Sequence, residues 1–460
     1  MHRPTLAIFG QYGHENLGDE SIIEACIQRY RELIPEANIV LFSSVPNDSR
    51  SRYSLPAFPT RYQQKTELTS SAQLQRERNL GMDFRGKPAA EARKKEPAIK
   101  TALKRLPFLW PTLRFIKSLP QRAALVVREA RFLWRARSSL DGIDLMVVTG
   151  SNQFLDNFGG PWNFPYTVLK WALLCRLRKI PVAYVCVGAG PLDVPLSHRM
   201  IRLALRSAAY LSFRDSASRQ LVDPDDRYKG DVCTDLAFAV DVPDGTAARS
   251  GRGRVVAVNP MAVYDARYWY IKDSEKYQSY VGRMVAFIQW LLDHGFVPRL
   301  FATQPKDENV IVDIKQQLAA AGHRDDVVDG LFVPLQTVNE LLAFLLDSDI
   351  VVPTRFHGTV LGLWAGKPTI GTCYYRKAVD VLTAFGQRRF AFGIDEFSVS
   401  GLAAAVDEIM NHYDDVAGRI AATGSSHREM LDTQFAKVRE LLELPPQLRA
   451  SGGDAGPPST

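Results

Sequence analysis

The stretch LAIFGQYGHENLGDE, residues 6–20, decides the fold class. Residues 6–9 form a short apolar run typical of a buried strand, and a polar loop with three glycines follows. Apolar residues at helical spacing over 21–33 and a second strand pattern over 38–42 complete a strand–loop–helix–strand unit. This alternation predicts a parallel sheet in an α/β fold.

The same alternation resumes further along the chain in two series. The first series predicts strands at 145–150, 182–187 and 210–213, with helices near 166–177 and 197–207. The second predicts strands at 255–258, 297–301, 350–352 and 369–371, with helices at 281–292, 335–346 and 358–365. We therefore expect two Rossmann-like parallel-sheet domains facing a cleft, residues 1–240 and 254–444, joined by a linker at 241–253 and followed by a disordered tail at 445–460.

A basic segment interrupts the first domain, and residues from about 46 to 140 are predicted to be an insertion. From Arg50 to Arg137 the chain has 21 Lys and Arg against 6 Asp and Glu, whereas the rest has 36 against 44. Over residues 101–137 aromatic residues alternate with cations at helical spacing, which suits an amphipathic helix on an anionic membrane surface. The alternative is that these helices pack on the first domain and expose their charges. No nucleic-acid-reading motif accompanies the charge, so nucleic acid is not a predicted partner.

Length and composition set the class of protein. At 460 residues the chain is too long for one ordinary core, and 46% hydrophobic with 23% charged residues is typical of a folded, soluble protein. The first apolar run is too short for a signal peptide, so we expect a cytoplasmic protein, with contact at the inner membrane face if the basic segment binds lipid. Five scattered cysteines without a C-x-x-C pair predict buried free thiols.

Two polar motifs follow predicted strands in the first half of the chain, where parallel sheets bind ligands. The first is the glycine loop before the first helix, in which Asn16, Gly18, Asp19 and Glu20 are candidate cleft groups. The alternative is a plain turn whose acids stabilise the helix start. The second motif follows the strand at 145–150 and is either an ordinary loop or a small-ligand lining contributed by Ser151, Asn152 and Gln153.

Cationic residues follow two later strands. Arg214 is placed either to hold a carboxylate or phosphate with two hydrogen bonds or to form a structural ion pair. Arg355 and His357 point the same way if the backbone is extended, and they supply a fixed cation and a proton-transfer group. Tyr374 and Lys377 follow the next strand and would add a sugar platform and an anion contact.

In this order the motifs resemble the polysaccharide pyruvyl transferase family. The match is carried by the runs ENLGDE (15–20), QFLD (153–156), GAGP (188–191), RD (214–215), RFHG (355–358) and GKP (366–368), over about 1–45 and 141–380. The chain departs from the common pattern at residues 151–152, where many relatives have more glycine.

The resemblance implies a fold similar to the two-domain GT-B glycosyltransferases. It also implies transfer of a pyruvyl group from phosphoenolpyruvate to a sugar, giving a ketal, with a polysaccharide or its lipid-linked precursor as acceptor. The resemblance carries donor binding over to Arg214, Arg355 and His357, and Lys377 is a further donor contact expected from its position after a strand. We expect His357 to act as the acid, because a protonated imidazole can protonate the donor. Asp19 or Glu20 would handle the acceptor hydroxyl. No metal-ligand cluster is apparent, and no cofactor besides the donor is expected.

Two other classes of function fit the same fold. A nucleotide-sugar glycosyltransferase would bind a nucleoside diphosphate tightly. A non-catalytic sugar-binding component of a polysaccharide assembly complex would bind oligosaccharide without turning over any donor.

Overall fold

The computed structural model describes residues 3–62, 109–151, 153–157, 159–242, 253–269 and 271–443, with the backbone alone for 109–122. The first domain is built on a seven-stranded parallel sheet in the order β3-β2-β1-β4-β5-β6-β7. Its strands are β1 (Thr5–Phe9), β2 (Asn38–Ser43), β3 (Ala57–Pro59), β4 (Leu145–Thr149), β5 (Val182–Val187), β6 (Ala208–Phe213) and β7 (Asp231–Val232). The strand order reverses direction at β1, so β1 and β4 flank the switch point where such sheets bind ligands.

Helices cover both faces of this sheet. They are α1 (Leu17–Leu33), α2 (Pro46–Tyr53), α3 (Leu109–Ser138), α4 (Phe164–Leu177), α5 (Pro195–Leu205) and α6 (Ser216–Val222). Because successive strand residues point to opposite faces, Phe9 of β1 packs with Trp171 of α4, whereas Ile8 belongs to the core that contains α1. Helices α3, α4 and α5 share the face that carries Trp171.

Part of the predicted insertion belongs to the sheet instead. Residues 46–59 form α2 and β3, and β3 pairs with β2 in parallel from Leu41 opposite Ala57. This edge strand has three residues and ends in Pro59, so it gives no alternating pattern to detect. Helix α3 is anchored at its carboxyl end, where Phe132 and Ala136 are buried in the core of the first domain.

The second domain repeats the α/β plan around a smaller sheet. Strands β8 (Val255–Asn259), β9 (Val297–Leu300) and β10 (Ile350–Pro353) pair in the order β10-β8-β9, and β11 (Gly371–Cys373) pairs with β12 (Ala391–Gly393). A parallel bridge between Val351 and Thr369 sets the chain before β11 beside β10. Its helices are α7 (Ser274–Asp293), α8 (Glu308–Ala320), α9 (Asp325–Gly330), α10 (Val338–Leu346), α11 (Phe356–Trp364), α12 (Arg376–Ala384), α13 (Val399–Asn411) and α14 (Tyr413–Glu443). Two parallel-sheet α/β domains are therefore present, as predicted.

The last helix joins the two domains. Helix α14 is 31 residues long and crosses back to the first domain, where Lys437 lies 2.6 Å from Asp231 and Phe435 packs edge-on against Tyr30. The predicted second domain thus ends in a helix that packs on both domains. At the cleft the Leu17 N–H donates to the Thr303 carbonyl oxygen at 2.9 Å, which fixes the start of α1 against the second domain. These contacts hold the domains together on two sides.

All five cysteines are buried and free, as predicted. Among the described residues, none of the helices combines the length and the apolar character needed to cross a bilayer.

Candidate active site

A cleft that encloses about 740 Å³ lies between the two domains. Both domains contribute polar side chains at the carboxyl ends of their strands, which is the expected place in parallel sheets. The lining includes six of the predicted site residues, namely Asn16, Asp19, Arg214, Arg355, His357 and Lys377. The structure therefore brings together residues that are more than 300 positions apart in the chain.

The start of α1 positions Asp19 at the cleft. Asn16 caps the helix by accepting from the Gly18 N–H, and its amide donates to Asp19 Oδ2 at 2.5 Å. The other oxygen of Asp19, Oδ1, is buried without a hydrogen-bond partner in the described structure. Burial, and then the charge of Glu20, raises the pKa of Asp19 to about 7. This carboxyl group can exchange a proton near neutral pH.

Arg214 follows β6 and is nearly buried. Its guanidinium donates to Asp215 at 3.3 Å and to Asp235 at 3.4 Å, and it lies 4.9 Å from the centre of the Phe356 ring. A Cβ on Gly188 would lie 2.5 Å from Arg214 Nη2, so only glycine leaves room for the guanidinium here. Acids and packing together hold this cation at the cleft wall.

Arg355 is oriented by a buried carboxylate of the second domain. Its Nε and Nη2 donate to the two oxygens of Asp307 at 2.8 and 2.7 Å, in the two-pronged geometry that suits guanidinium and carboxylate. Asp307 is fully buried and also accepts from the Ala262 N–H at 3.2 Å. The plane of the Arg355 guanidinium is therefore fixed before any ligand arrives.

His357 lies where the two domains meet. Its ring packs on α1, because a Cβ on Gly18 would lie 2.4 Å from His357 Nδ1. His357 Nε2 is 3.9 Å from an oxygen of Asp235 and is buried without a hydrogen-bond partner in the described structure. Burial, and then the positive charge of Lys377 and its cationic neighbours, lowers the pKa of His357 to about 4, with Asp235 opposing. The imidazole in these surroundings is therefore neutral at pH 7.

Lys377 stands in the first turn of α12. Its ammonium lies 4.5 Å from the centre of the Phe356 ring and 5.2 Å from that of Tyr375. Burial, and then the charge of Arg214, lowers the pKa of Lys377 to about 7. This amine is only partly protonated at neutral pH, and an anion beside it would raise its pKa and so its protonated fraction.

Two helix ends add backbone donors to these cations. Helix α11 begins at Phe356 and α12 at Arg376, both residues line the cleft, and neither helix receives a side-chain cap in the described structure. The first N–H groups of an uncapped helix favour an anion, as does its dipole. The cleft is thus chemically suited to a small ligand with more than one negative charge.

Glu20 lies elsewhere, contrary to prediction. It is completely buried on a side of α1 that does not line the cleft, and it accepts from the Gly13 N–H at 2.8 Å and from the Tyr53 hydroxyl at 2.6 Å. Neighbouring helix positions point about 100° apart, so Asp19 faces the cleft and Glu20 supports the glycine loop instead.

The second predicted motif lies behind the lining. Ser151 is buried and accepts from the Gln11 N–H at 2.9 Å, and the Gln153 amide donates to Ser151 at 3.2 Å. These side chains stabilise the loops that carry the cleft, whereas Asn152 falls outside the described residues. Tyr374 packs edge-on against Trp269 at 5.3 Å, and its neighbour Tyr375 lines the cleft in its place.

Sequence reasoning missed the two buried acids that hold the site. Asp235 contacts Arg214 and faces His357, and Asp307 holds Arg355. Asp235 comes three residues after β7, the edge strand, and Asp307 lies in a turn before α8. Neither acid stands in a recognisable motif. The one signal in the sequence is indirect: a buried arginine needs a carboxylate partner, so each predicted site arginine implies an acid nearby in the fold.

Solved structures similar to this chain show the arrangement of its domains. A putative UDP-N-acetylglucosamine 2-epimerase from Listeria monocytogenes is 10% identical, with a TM-score of 0.53 over 95% of this chain and 97% of its own. The UDP-GlcNAc 2-epimerase from Neisseria meningitidis, solved with UDP-GlcNAc, is 11% identical, with a TM-score of 0.50 over 93% and 99%. At such identities the likeness concerns the fold alone, and it confirms the predicted GT-B-like arrangement of two Rossmann-like domains.

The family is shown by a separate comparison. A family model described as polysaccharide pyruvyl transferase matches residues 16–375, which include Asn16, Asp19, Arg214, Arg355 and His357 but end just before Arg376 and Lys377. The match spans both domains and most of the chain. This chain is an enzyme that belongs to the polysaccharide pyruvyl transferase family.

Proposed function

We propose that the enzyme transfers the pyruvyl group of phosphoenolpyruvate to a sugar of a cell-surface polysaccharide or its precursor, and forms a ketal across two hydroxyls. The observation that carries this proposal is the convergence of Arg214, Arg355 and Lys377, from both domains, on one cleft. Phosphoenolpyruvate has a phosphate and a carboxylate on a three-carbon skeleton, so it requires several cations within a few ångströms of one another. As a family member, the enzyme has a carbohydrate acceptor.

The donor would complete the charge balance of the cleft. Arg214 and Arg355 are each held by a buried acid, so their positions are set in advance and little entropy is lost when an anion binds. Lys377, with its pKa lowered to about 7, would gain full charge beside a phosphate or carboxylate. Donor binding is thus coupled to proton uptake.

The reaction needs an acid that protonates the donor and a base that removes the proton of the acceptor hydroxyl. Protonation of the donor's methylene carbon leaves a cationic centre at the adjacent carbon, and an acceptor hydroxyl oxygen attacks there while losing its proton. The bond to phosphate then breaks, and a second hydroxyl attacks the same carbon to close the ketal, with its proton leaving on the phosphate or a base. One proton enters the methyl group, and two leave the hydroxyls.

His357 and Asp19 have the placement for these two roles. Burial keeps His357 neutral at pH 7, so its predicted role as the acid requires the donor to raise its pKa, which the negative charges of phosphoenolpyruvate would do. Asp19 stands on the opposite domain with one oxygen that has no hydrogen-bond partner among the described residues, and a pKa of about 7 suits removal of a hydroxyl proton. We propose no cofactor, so treatment with EDTA should leave activity intact.

The direct test measures phosphate release with phosphoenolpyruvate and a panel of oligosaccharides, with mass detection of the pyruvylated product. His357→Ala should lose at least about 100-fold in kcat while its calorimetric Kd for phosphoenolpyruvate changes little, because general acid catalysis contributes about that much or more. His294→Ala, an exposed histidine of the second domain, is the matched control.

Two results would contradict the proposal. Full activity of His357→Ala would remove that residue from the mechanism. Tight binding of a nucleoside diphosphate, with no binding of phosphoenolpyruvate, would favour a nucleotide-sugar glycosyltransferase.

A further inference from the structure

The outer layer of the first domain has an unusual charge. Helices α3, α4 and α5 together contain 11 Lys and Arg but one acidic residue, Glu129. That acid is bound to Lys170 at 2.8 Å. The three helices therefore carry a net charge of +10 within a chain whose total is +7, so the rest of the chain sums to −3.

The same helices expose large apolar side chains. Trp134 of α3 is 79% exposed and Leu177 of α4 is 80% exposed. Further exposed apolar residues on the three helices are Leu125, Val126, Val127, Leu173, Leu196 and Leu203. Apolar groups spread among arginines, on helices that already pack their inner faces on the sheet, indicate a second contact surface.

Helix α3 extends this surface past the cleft. Glu129 contacts Lys170, and the Arg137 carbonyl oxygen accepts from Arg178, so α3 and α4 run side by side in the same direction. Helix α4 begins at Phe164, which lines the cleft. Helix α3 begins at Leu109, about 14 residues before the point at which it lies beside Phe164. At 1.5 Å per residue α3 reaches about 20 Å beyond the start of α4 on the cleft side. Residues 123–128 are exposed on most sides of the helix, as expected of a projecting helix.

We propose that the outer face of α3, α4 and α5 docks on an anionic lipid bilayer and holds the cleft at the membrane surface, where it takes a lipid-linked carbohydrate acceptor. Arginines attract anionic headgroups, and Trp134 suits the boundary between headgroups and acyl chains. The helices lie on the bilayer without spanning it. The choice of acceptor rests on the proposed function, whereas docking itself does not.

Charge also decides between a bilayer and a second copy of the chain. In a two-fold dimer through this face each copy would bring its cations against those of the other, with one paired acid per copy to offset them. An anionic bilayer supplies the opposite charge over the whole face. Lipid is therefore the better match.

The test is co-sedimentation of the full chain with vesicles of phosphatidylcholine alone or with about 30% phosphatidylglycerol. Wild type should bind the anionic vesicles at least tenfold more strongly, and 0.5 M salt should weaken binding. Arg131→Gln with Arg135→Gln should lower the partition coefficient about 30-fold, since each cation near the surface contributes about fivefold. Val126→Ser with Trp134→Ser should lower it at least tenfold through lost apolar burial.

Matched controls come from the second domain, where Arg324→Gln and Val312→Ser replace exposed residues of the same types. These variants should bind vesicles as wild type does, and every variant should turn over a soluble oligosaccharide at the wild-type rate. Vesicle binding without any pyruvyl transfer would contradict the proposed function and leave the docking proposal unaffected. Docking is overturned if the wild-type protein does not bind anionic vesicles or if the α3 variants bind them as well as the controls do. It is also overturned if light scattering shows that the wild-type protein is a dimer and the α3 variants are monomers.

Discussion

Replacing Asp235 by Asn should reduce turnover, because it destabilises the protonated form of His357. Asp235 is buried, lies 3.9 Å from His357 Nε2, and opposes the cations that lower the pKa of that imidazole. Asparagine has the same shape and can still accept from the Ala237 N–H, which Asp235 does at 3.0 Å. The substitution therefore removes a negative charge from beside both His357 and Arg214 with little change in packing.

The magnitude follows from Coulomb's law. At 3.9 Å, one pair of unit charges interacts by about 4 kcal/mol at an effective dielectric constant of about 20, and by about 1 kcal/mol in bulk water. Because about 1.4 kcal/mol is one pH unit, the pKa of His357 should fall by a further 1 to 3 units, roughly. If His357 must be protonated in the donor complex, activity is present below that pKa and lost as the pH rises through it. The descending limb of the kcat profile should move to lower pH by the same amount.

The assay is phosphate release from pH 5 to 9 at saturating donor, compared with Asp223→Asn. Asp223 is also buried, but it accepts from the Arg227 and Tyr228 N–H groups outside the cleft lining. The control should lose about 1 to 3 kcal/mol of stability, measured by denaturant unfolding, while its kcat stays within twofold. A wild-type pH profile in Asp235→Asn would refute the electrostatic role of this acid and, with it, the role of His357 as the acid.

Three further outcomes test other parts of the site and fold. Gly188→Ala should raise the KM for phosphoenolpyruvate at least tenfold, because the new methyl group displaces the Arg214 guanidinium, whereas Gly418→Ala, in open space on α14, should keep KM and gain up to about 1 kcal/mol of stability. Asp19→Asn should lower kcat at least about 100-fold with little effect on calorimetric donor affinity, and unchanged kcat would exclude it as the base. A thiol reagent should label less than one of the five cysteines in native protein and all five in guanidinium, since each is buried; rapid labelling of several would contradict the described packing.

The features that sequence analysis predicted well are those that repeat locally. Strands β1, β4 and β8 are continuous apolar runs at the centre of their sheets, so hydrophobic pattern alone locates them. The three-residue edge strand β3 has no such run, so the sequence pattern does not distinguish it from the insertion. Within the site, cations that directly follow strands were predicted because parallel topology sends strand ends to one place.

Contacts between distant parts of the chain were not predictable in this way. Asp235 and Asp307 matter because they meet Arg214 and Arg355 in the folded protein, and nothing in their immediate neighbours signals it. The sequence also does not show the direction in which a side chain points. Both acids of the glycine loop were candidates, and only the helical rotation between Asp19 and Glu20 decides which one faces the cleft.

Helix α14 has a practical consequence for anyone who wishes to cut or recombine this enzyme. The apolar cluster that contains Phe435 also contains Tyr30 of α1 and Phe385 next to α12, so a break in the chain near residue 250 would expose a surface that each half normally supplies to the other. Fragments divided there should aggregate on expression. A chimera that exchanges the second half between relatives would have to retain the segment 236–240 and its partners on α14 from one parent.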